Sequence, residues 1–514
     1  MFVDRILTRR VRVPWLIIAC VVFASIAWSC NMPAPTVGSV IPTEAVSPTP
    51  IVPASSSTPA PEVTAPPLQP TESPAIPTEI PAPTPVPIIG IETHSFTEAA
   101  GLSLVEQAMP QWLRRNGLLW GDVEPQEGAR NWDAMAGLED ELRTAADMGL
   151  EVILIVRETP SWARQLPGLG CGPILQEKLP AFAAFMRDAV TRYSAPPYNV
   201  KYWEMWNEPD VARQFVAPGF VFGCWGDNND AYYGGRYYAE MLKAIYPQMK
   251  AADSQSQVLI GGLLSDCDPV NPPEEPVGSG RFKDCRPSQF LEGALENGAG
   301  DYFDGVSFHA YDYYWSELGV YQNPNWHSSW DVTGPVVIAK TRYFRDLLAA
   351  YGHPEKFLMN TEVALICGRD GTEPSCQTAE FDLTKAYYVP QAYASALAEG
   401  LTANVWYSLF GWRGSQLLGF ENRPLPVYDA YRFAASQFRG ATYTGDLDQF
   451  PGVKGYEISR DNVRVWIVWS LDGQPHTVQL PSLPTAIYDV FGATLTASQE
   501  VTVTLAPIYI EMSP

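Results

Sequence analysis

The chain has 514 residues, enough for more than one folded unit. Its 34 Lys and Arg stand against 57 Asp and Glu, a net charge of −23, which repels phosphate backbones and excludes nucleic acid as the default partner. Aromatic residues make up 12% of the chain, with 16 Trp and 25 Tyr, more than a protein that binds only ions or phosphates calls for.

The first thirty residues read as an address. Arg5, Arg9, Arg10 and Arg12 give a basic start, and an apolar run from Val13 to Ala27 follows. That is the layout of a secretory signal, with an apolar stretch short for a spanning helix. The end of the run, Ala27-Trp28-Ser29-Cys30, resembles a bacterial lipobox, with Trp28 where a small residue is usual. The resemblance implies lipidation of Cys30 after cleavage of residues 1–29. An ordinary signal peptide and an uncleaved anchor are the alternatives, and all three export the remainder. Between Asn31 and Pro87 lie 17 of the 47 Pro, with 8 Thr, 6 Ser and no aromatic residue, Lys or Arg. Such a stretch cannot bury a core, and residues 30–87 are expected to form an extended tether.

From Ile88 the pattern changes to short apolar runs alternating with helical segments. Expected strands are Ile88–His94, Gly117–Asp122, Glu151–Arg157, Val200–Asn207, Gln257–Leu263, Gly305–His309, Lys356–Glu362 and Asn404–Phe410. Helical patterns fall between them, such as Trp132–Met148, Leu179–Tyr193, Tyr232–Ala251 and Thr384–Glu399. Runs like Val152-Ile153-Leu154-Ile155-Val156 suit strands buried on both faces. Eight strand-then-helix units predict a (β/α)8 TIM barrel over residues 88–440. An open doubly wound sheet is the rival, and would usually place a Gly-rich phosphate loop after its first strand. Gly90-Ile91-Glu92-Thr93-His94 is not one. After Gly440 the helical period stops. Val463–Trp469, Thr477–Leu480, Ala486–Val490 and Val501–Glu511 read as strands, with turns at Asp461-Asn462 and Asp472-Gly473. Residues 441–514 are expected to form a small all-β, sandwich-like domain that packs against the barrel, with sugar binding as the alternative role.

Of eight Cys, Cys20 lies in the signal and Cys30 is the lipidation candidate. The other six, Cys171, Cys224, Cys267, Cys285, Cys367 and Cys376, are an even number in an exported chain and suggest disulfides. Fifteen pairings are open. The pairing of sequence neighbours, Cys171–Cys224, Cys267–Cys285 and Cys367–Cys376, is the expectation, with a mixture of bridges and buried thiols as its alternative. Without a Cys-x-x-Cys and with five scattered His, a zinc site has little support.

Barrel enzymes build their sites at the C-terminal ends of strands. The fourth strand ends Trp206-Asn207-Glu208-Pro209 and the seventh ends Asn360-Thr361-Glu362. Two carboxylates across a barrel mouth are what glycoside hydrolysis requires. Here the motifs become specific. Trp206-Asn207-Glu208-Pro209 resembles the acid/base motif of the clan A retaining glycoside hydrolases, and Thr361-Glu362 resembles their nucleophile. Phe308-His309-Ala310-Tyr311 fits the same pattern. Thr159-Pro160-Ser161-Trp162-Ala163 and Val123–Gly128 are similar to segments of the family 39 β-xylosidase-like branch, with family 5 close behind. The resemblance covers about Ile88 to Gly440.

The resemblance implies that Glu208 is the general acid and then base, Glu362 the nucleophile, and Asn207 a ligand of the sugar 2-hydroxyl. His309 or Tyr311 would orient Glu362, and Trp412 would lie under the reacting sugar. Strict alternation puts Asn207 and Glu208 on opposite faces, so the strand must bend or bulge at its end. Glu204 is expected to support the pair, Glu124 to cap a turn, and Arg157 either to meet sugar or to pair with a carboxylate. Sugars present CH faces to aromatic platforms. The segment Tyr311–Trp330, including Trp315, is therefore read as a loop shaping subsites, with Trp162 a further sugar contact. No metal or organic cofactor is required. The function expected is hydrolysis of β-glycosidic bonds in a carbohydrate chain, with the membrane met only through the N-terminal anchor. A non-catalytic carbohydrate-binding protein and a transglycosylase are the alternatives.

Overall fold

The computed structural model describes residues 87–513 apart from 221, 275–283 and 317. The expected signal, Cys30 and all of the tether but Pro87 lie outside the described residues. Eight strands, β1 (Ile89–Thr93), β2 (Trp112–Leu119), β3 (Glu151–Arg157), β4 (Tyr202–Asn207), β5 (Gln257–Leu263), β6 (Gly305–Trp315), β7 (Phe357–Cys367) and β8 (Ala403–Trp406), pair in parallel in sequence order. The pairing of β8 with β1 and of β5 with β6 closes the barrel. Each strand is followed by a helix; most bury one stripe, while Ala379–Ala398 is buried on every side from Tyr388 to Leu397. In Leu179–Tyr193 the buried side chains are Leu179, Phe182, Ala183, Phe185, Met186, Ala189, Val190 and Tyr193, at helical spacing. Among the described residues no helix is long and apolar enough to cross a membrane.

Four strands differ from expectation by more than two residues at one end or both. β2 begins at Trp112, and Trp120–Val123 is a helical turn, not the strand's end. The run Arg114-Arg115-Asn116 interrupts the apolar pattern that marks a buried strand, yet Arg114 is fully buried. β6 and β7 run on to Trp315 and Cys367, since they keep pairing with each other beyond the barrel rim, Tyr311 opposite Ala364 and Tyr313 opposite Ile366. β8 stops at Trp406.

The C-terminal region adds β9 (Thr442–Asp446), β10 (Val453–Arg460), β11 (Val463–Ser470), β12 (His476–Gln479), β13 (Ala486–Tyr488), β14 (Thr494–Leu495), β15 (Glu500–Val503) and β16 (Ile508–Met512). Six form an antiparallel sheet in the order β9-β10-β11-β16-β13-β14, and β12 pairs with β15. The expected single strand Val501–Glu511 is split in two around Pro507. Alternation explains how the sheet serves two cores. Trp466, Val468, Ile508 and Ile510 face the β12–β15 ribbon, packing with Val478 and Val503. Val465, Ile467, Trp469 and Tyr509 face the barrel and join its core. There Phe433, on the last barrel helix (Pro426–Phe438), meets the rings of Tyr488 and Tyr509. The three expected disulfides form, all in the segments that follow β3, β4, β5 and β7.

Candidate active site

Inside the barrel, Trp112 on β2, Ile153 on β3, Leu259 on β5, Met359 on β7 and Ala403 and Val405 on β8 form a cluster of their own. Two residues on from Trp112, and so on the same face, stands Arg114. Above that level the strands break alternation. The register between β6 and β7 shifts from Phe308 opposite Asn360 to His309 opposite Glu362, making Thr361 an extra residue on β7. On β4 the break is in the backbone itself, with Trp206 at φ +76° and Glu208 at φ +50°. The bend expected at the end of the fourth strand is therefore present, and both Asn207 and Glu208 reach the pocket.

Arg114 organises the site, and its donors can be counted. Nε donates to Glu204 Oε2 at 3.3 Å, and Nη2 donates to Glu204 Oε1 at 2.5 Å and to Asn207 Oδ1 at 2.7 Å. Nη1 donates to Glu92 and to Glu362. All five N–H groups of the guanidinium are thus used. One cation meets three carboxylates, and Glu208 adds a fourth nearby. Burial in so acidic a setting raises the pKa of Glu92, of Glu362 to about 7, and of Glu208 well above the ordinary carboxyl value, where the Glu362 charge adds to burial. Glu362 has Arg114 and the Tyr311 hydroxyl to stabilise its charge, and Glu208 has neither as a direct partner. Glu362 is therefore the carboxyl that ionises first, and Glu208 the one that keeps its proton.

His309 sits between the two. Its Nδ1 lies 3.0 Å from Glu208 Oε1 and 3.3 Å from Glu362 Oε2. That Nδ1 faces a carboxyl oxygen on either side and so carries the hydrogen, while Nε2, 3.4 Å from an Arg114 Nη2 whose two hydrogens already go to Glu204 and Asn207, carries none. Burial, Arg114 and Lys340 hold its pKa well below the usual histidine value, which keeps the ring neutral. The ring is seated against β5 by its Nε2 edge. A Cβ on Gly262 would fall 2.1 Å from His309 Nε2, so only glycine fits there. Lys340 fixes the strand behind it, donating to the carbonyls of His309 and Leu264 at 2.7 Å each.

Other expected residues are placed as follows. Asn207 is buried, and because its Oδ1 accepts from Arg114, its Nδ2 is left to donate. Tyr311 is on β6, not in a loop, and donates to Glu362. Trp412 is half exposed, its ring centroid 6.5 Å from that of Tyr311. Trp315 is exposed at the end of β6. Trp326 and Trp330 of the supposed subsite loop are buried. Trp162 packs edge-on against Trp120 and donates to the Glu124 carbonyl, contacts that tie it to the segment after β2. Glu124 caps that segment, accepting from Gly128 N, Trp120 Nε1 and Arg130 Nε. Arg157 is held near the carboxylates and its pKa is lowered to about 10 by burial. Glu204 supports the pair through Arg114, as expected.

Sequence reasoning missed Arg114 and Glu92. The signal was available for both. Glu92 stands one residue before the end of β1, and Arg114 follows Trp112 at strand spacing in the next unit. A third omission, His94, is exposed just beyond β1, with its ring beside Tyr407.

Glu208, His309 and Glu362 each offer a ligand atom, all within 4.8 Å of one another. The Arg114 charge against Glu362 opposes a metal cation there, and the hydrogen-bonded Nδ1 of His309 is not a free lone pair.

No protein-family model matches the sequence, and no curated protein does. Solved structures do. A family 39 glycoside hydrolase from Bacteroides cellulosilyticus aligns with a TM-score of 0.60 at 17% identity, over 84% of this chain and 81% of that one. The chain shares its fold. A conserved exported protein from Bacteroides fragilis gives 0.58 at 11% identity, over 84% and 98%. A family 30 endoxylanase from Clostridium papyrosolvens gives 0.55 at 12% identity, over 84% and 98%.

Proposed function

We propose that the protein is a retaining glycoside hydrolase that cleaves β-glycosidic bonds in oligo- or polysaccharide. The observation that carries this is the pair Glu208 and Glu362, on β4 and β7, with carboxylate oxygens no more than 4.8 Å apart. Retaining enzymes hold the two carboxyl groups about 5–5.5 Å apart, and inverting ones about 6.5–9.5 Å, to admit a water. The glycoside hydrolases among the structural neighbours support the reading, as do the clan A motifs.

The chemistry follows from the hydrogen bonds. Glu362, ionised on Arg114 and Tyr311, attacks the anomeric carbon. Glu208 gives its proton to the departing glycosidic oxygen as that bond breaks. Water then enters, Glu208 takes its proton, and the new hydroxyl displaces Glu362 from the sugar. His309 steadies both carboxyls through one N–H, and the Nδ2 of Asn207 donates to the sugar beside them. The electrostatic arrangement exists before substrate arrives, which is how such sites lower the barrier. We further propose that the chain is exported and anchored by lipid at Cys30, with residues 31–87 spacing the barrel from the membrane.

A 2-deoxy-2-fluoro glycoside with a good leaving group traps the glycosyl-enzyme. Peptide mass spectrometry should find the sugar on Glu362. Labelling of another residue, or full activity in Glu362→Ala, would falsify the assignment.

A further inference from the structure

Beyond the carboxylate pair, a cavity of about 720 Å³ opens along the extended ends of β6 and β7. Its lining includes Trp315 and Trp412, among the most exposed large apolar side chains of the described residues at 56% and 50%. Two half-bare indoles in one cavity are costly to leave in water and suit the CH faces of sugar rings. The cavity adjoins the site through Trp412, whose ring packs edge-on against that of Tyr311, the donor to Glu362. It also reaches far. In the β6–β7 register His309 stands opposite Glu362 and Trp315 opposite Cys367, five residues further along β7. At the strand rise that is about 16 Å, longer than one sugar ring.

The walls are built and held. Cys367 and Cys376 are joined, closing the segment that carries Arg369, Asp370 and Glu373. Cys367 N donates to the Arg413 carbonyl at 2.8 Å, and Gly368 N donates to the Trp315 carbonyl. A Cβ on Gly371 would lie 2.6 Å from Arg413 Cα, so this segment is seated directly against the one after β8. Arg413 props the platform. Its guanidinium lies 4.9 Å from the Trp412 ring centroid and 5.5 Å from that of Tyr313, and Nη2 donates to Ser316 Oγ at 3.1 Å. The charges in the lining balance, Arg369 and Arg413 against Asp370 and Glu373. Nothing there selects an ionic group, and the acidity of the whole chain disfavours a polyanion.

We propose that this cavity is a preformed distal subsite, and that the substrate is a neutral glycan chain running from the carboxylate pair across Trp412 to Trp315. The inference rests on the hydrolase reading for the pair but concerns a different part of the cleft. A preformed subsite spends no ordering energy when the chain binds, so each added sugar that stacks should gain affinity.

The test compares the full chain with Trp315→Ala and Trp315→Phe. Probes are aryl glycosides of single sugars and xylo-, manno-, gluco- and galacto-oligosaccharides of two to six units. Turnover is read as kcat/KM, and binding as quenching of tryptophan fluorescence. The expected result is that kcat/KM of the wild type rises with chain length for one series. Trp315→Ala should then lose about tenfold more on the longest member than on the aryl glycoside of that sugar, with Trp315→Phe between them. Turnover of aryl glycosides with no dependence on length overturns the subsite and leaves the hydrolase intact. Length-dependent quenching that Trp315→Ala abolishes, without turnover of any probe, supports the subsite and overturns the hydrolase. Equal losses on short and long substrates overturn the subsite, because a merely structural role for Trp315 predicts that result.

Discussion

The inside of the barrel has two levels that obey different rules. The lower level is Trp112, Ile153, Leu259, Met359, Ala403 and Val405, all buried and apolar. The upper level is Glu92, Arg114, Glu204, His309 and Glu362, with Arg114 two residues beyond Trp112 on β2 and Glu362 three beyond Met359 on β7, nearly as buried and almost entirely charged. The lower level follows strand alternation and is held by area removed from water. The upper level departs from it, through the extra residue at Thr361 and the left-handed backbone at Trp206 and Glu208. Two of its carboxyls, Glu92 and Glu362, are raised in pKa, so the native state binds their protons more tightly than the unfolded chain does. For Glu362 the loss of stability sets in above 4.5 and is complete above about 7. The contrast teaches where the molecule spends stability on chemistry. Strain and buried charge are confined to one layer, and the layer beneath is ordinary core.

The largest effect should come from removing the proton that this arrangement retains. Glu208→Gln keeps the shape and loses the acid. On glycosides with poor leaving groups, kcat should fall about 10²- to 10⁴-fold, and less where the leaving group is an acidic phenol. Wild-type activity should decline at high pH as Glu208 loses its proton, and the variant has no such proton to lose. A pH–rate profile in which the alkaline limb survives the substitution would mean that another group is the acid.

The two levels can then be set against each other. Arg114→Met leaves buried carboxylates without their shared cation, a change that costs about 3–5 kcal/mol when the charge stays uncompensated. Low pH relieves it, because the carboxyls can take protons, so the destabilisation should be smaller at pH 5 than at pH 8. Met359→Ala in the lower level removes buried apolar volume and should cost about 2–5 kcal/mol at either pH. Urea unfolding of both variants at the two pH values checks this. Equal pH dependence in the pair would dissolve the distinction between the levels.

Much of this was readable from the chain. The eight units stand out because fully buried strands are unbroken apolar runs, and Glu208, His309, Tyr311 and Glu362 lie where strand ends carry polar residues. The disulfides follow the proximity of their cysteines in sequence. What was not read shares one cause. Arg114 is polar and fully buried, and a search for apolar runs slides past Trp-Leu-Arg-Arg-Asn to the next one. Glu92 was seen only as part of a segment that is not a phosphate loop. The extension of β6 had its own signature, since Tyr311, Tyr313 and Trp315 alternate with period two, but a string of aromatics was read as a subsite loop. The bulge at Thr361 has no sequence mark, because it is imposed by the neighbouring strands.

The subtlest test of the upper level concerns Glu92. Its Oε2 and the Oε1 of Glu362 accept from the same nitrogen, Arg114 Nη1, while its own Oε1 is buried and has no hydrogen-bond partner among the described residues. Glu92 therefore competes for the cation that stabilises the Glu362 carboxylate, and its charge helps raise the Glu362 pKa, against the pull of Arg114 and Tyr311. In Glu92→Gln the side-chain carbonyl still accepts from Arg114 and the negative charge is gone. Glu362 should then ionise at lower pH, and the acid limb of kcat/KM should move down. Glu208 owes its raised pKa chiefly to burial, Glu362 and Asp210, so the alkaline limb should move less. The variant should also lose less stability between pH 5 and pH 8 than the wild type, because one raised carboxyl has been removed. An acid limb that stays fixed would show that Arg114 serves Glu362 independently of Glu92, and that the shared nitrogen does not couple the two carboxyls.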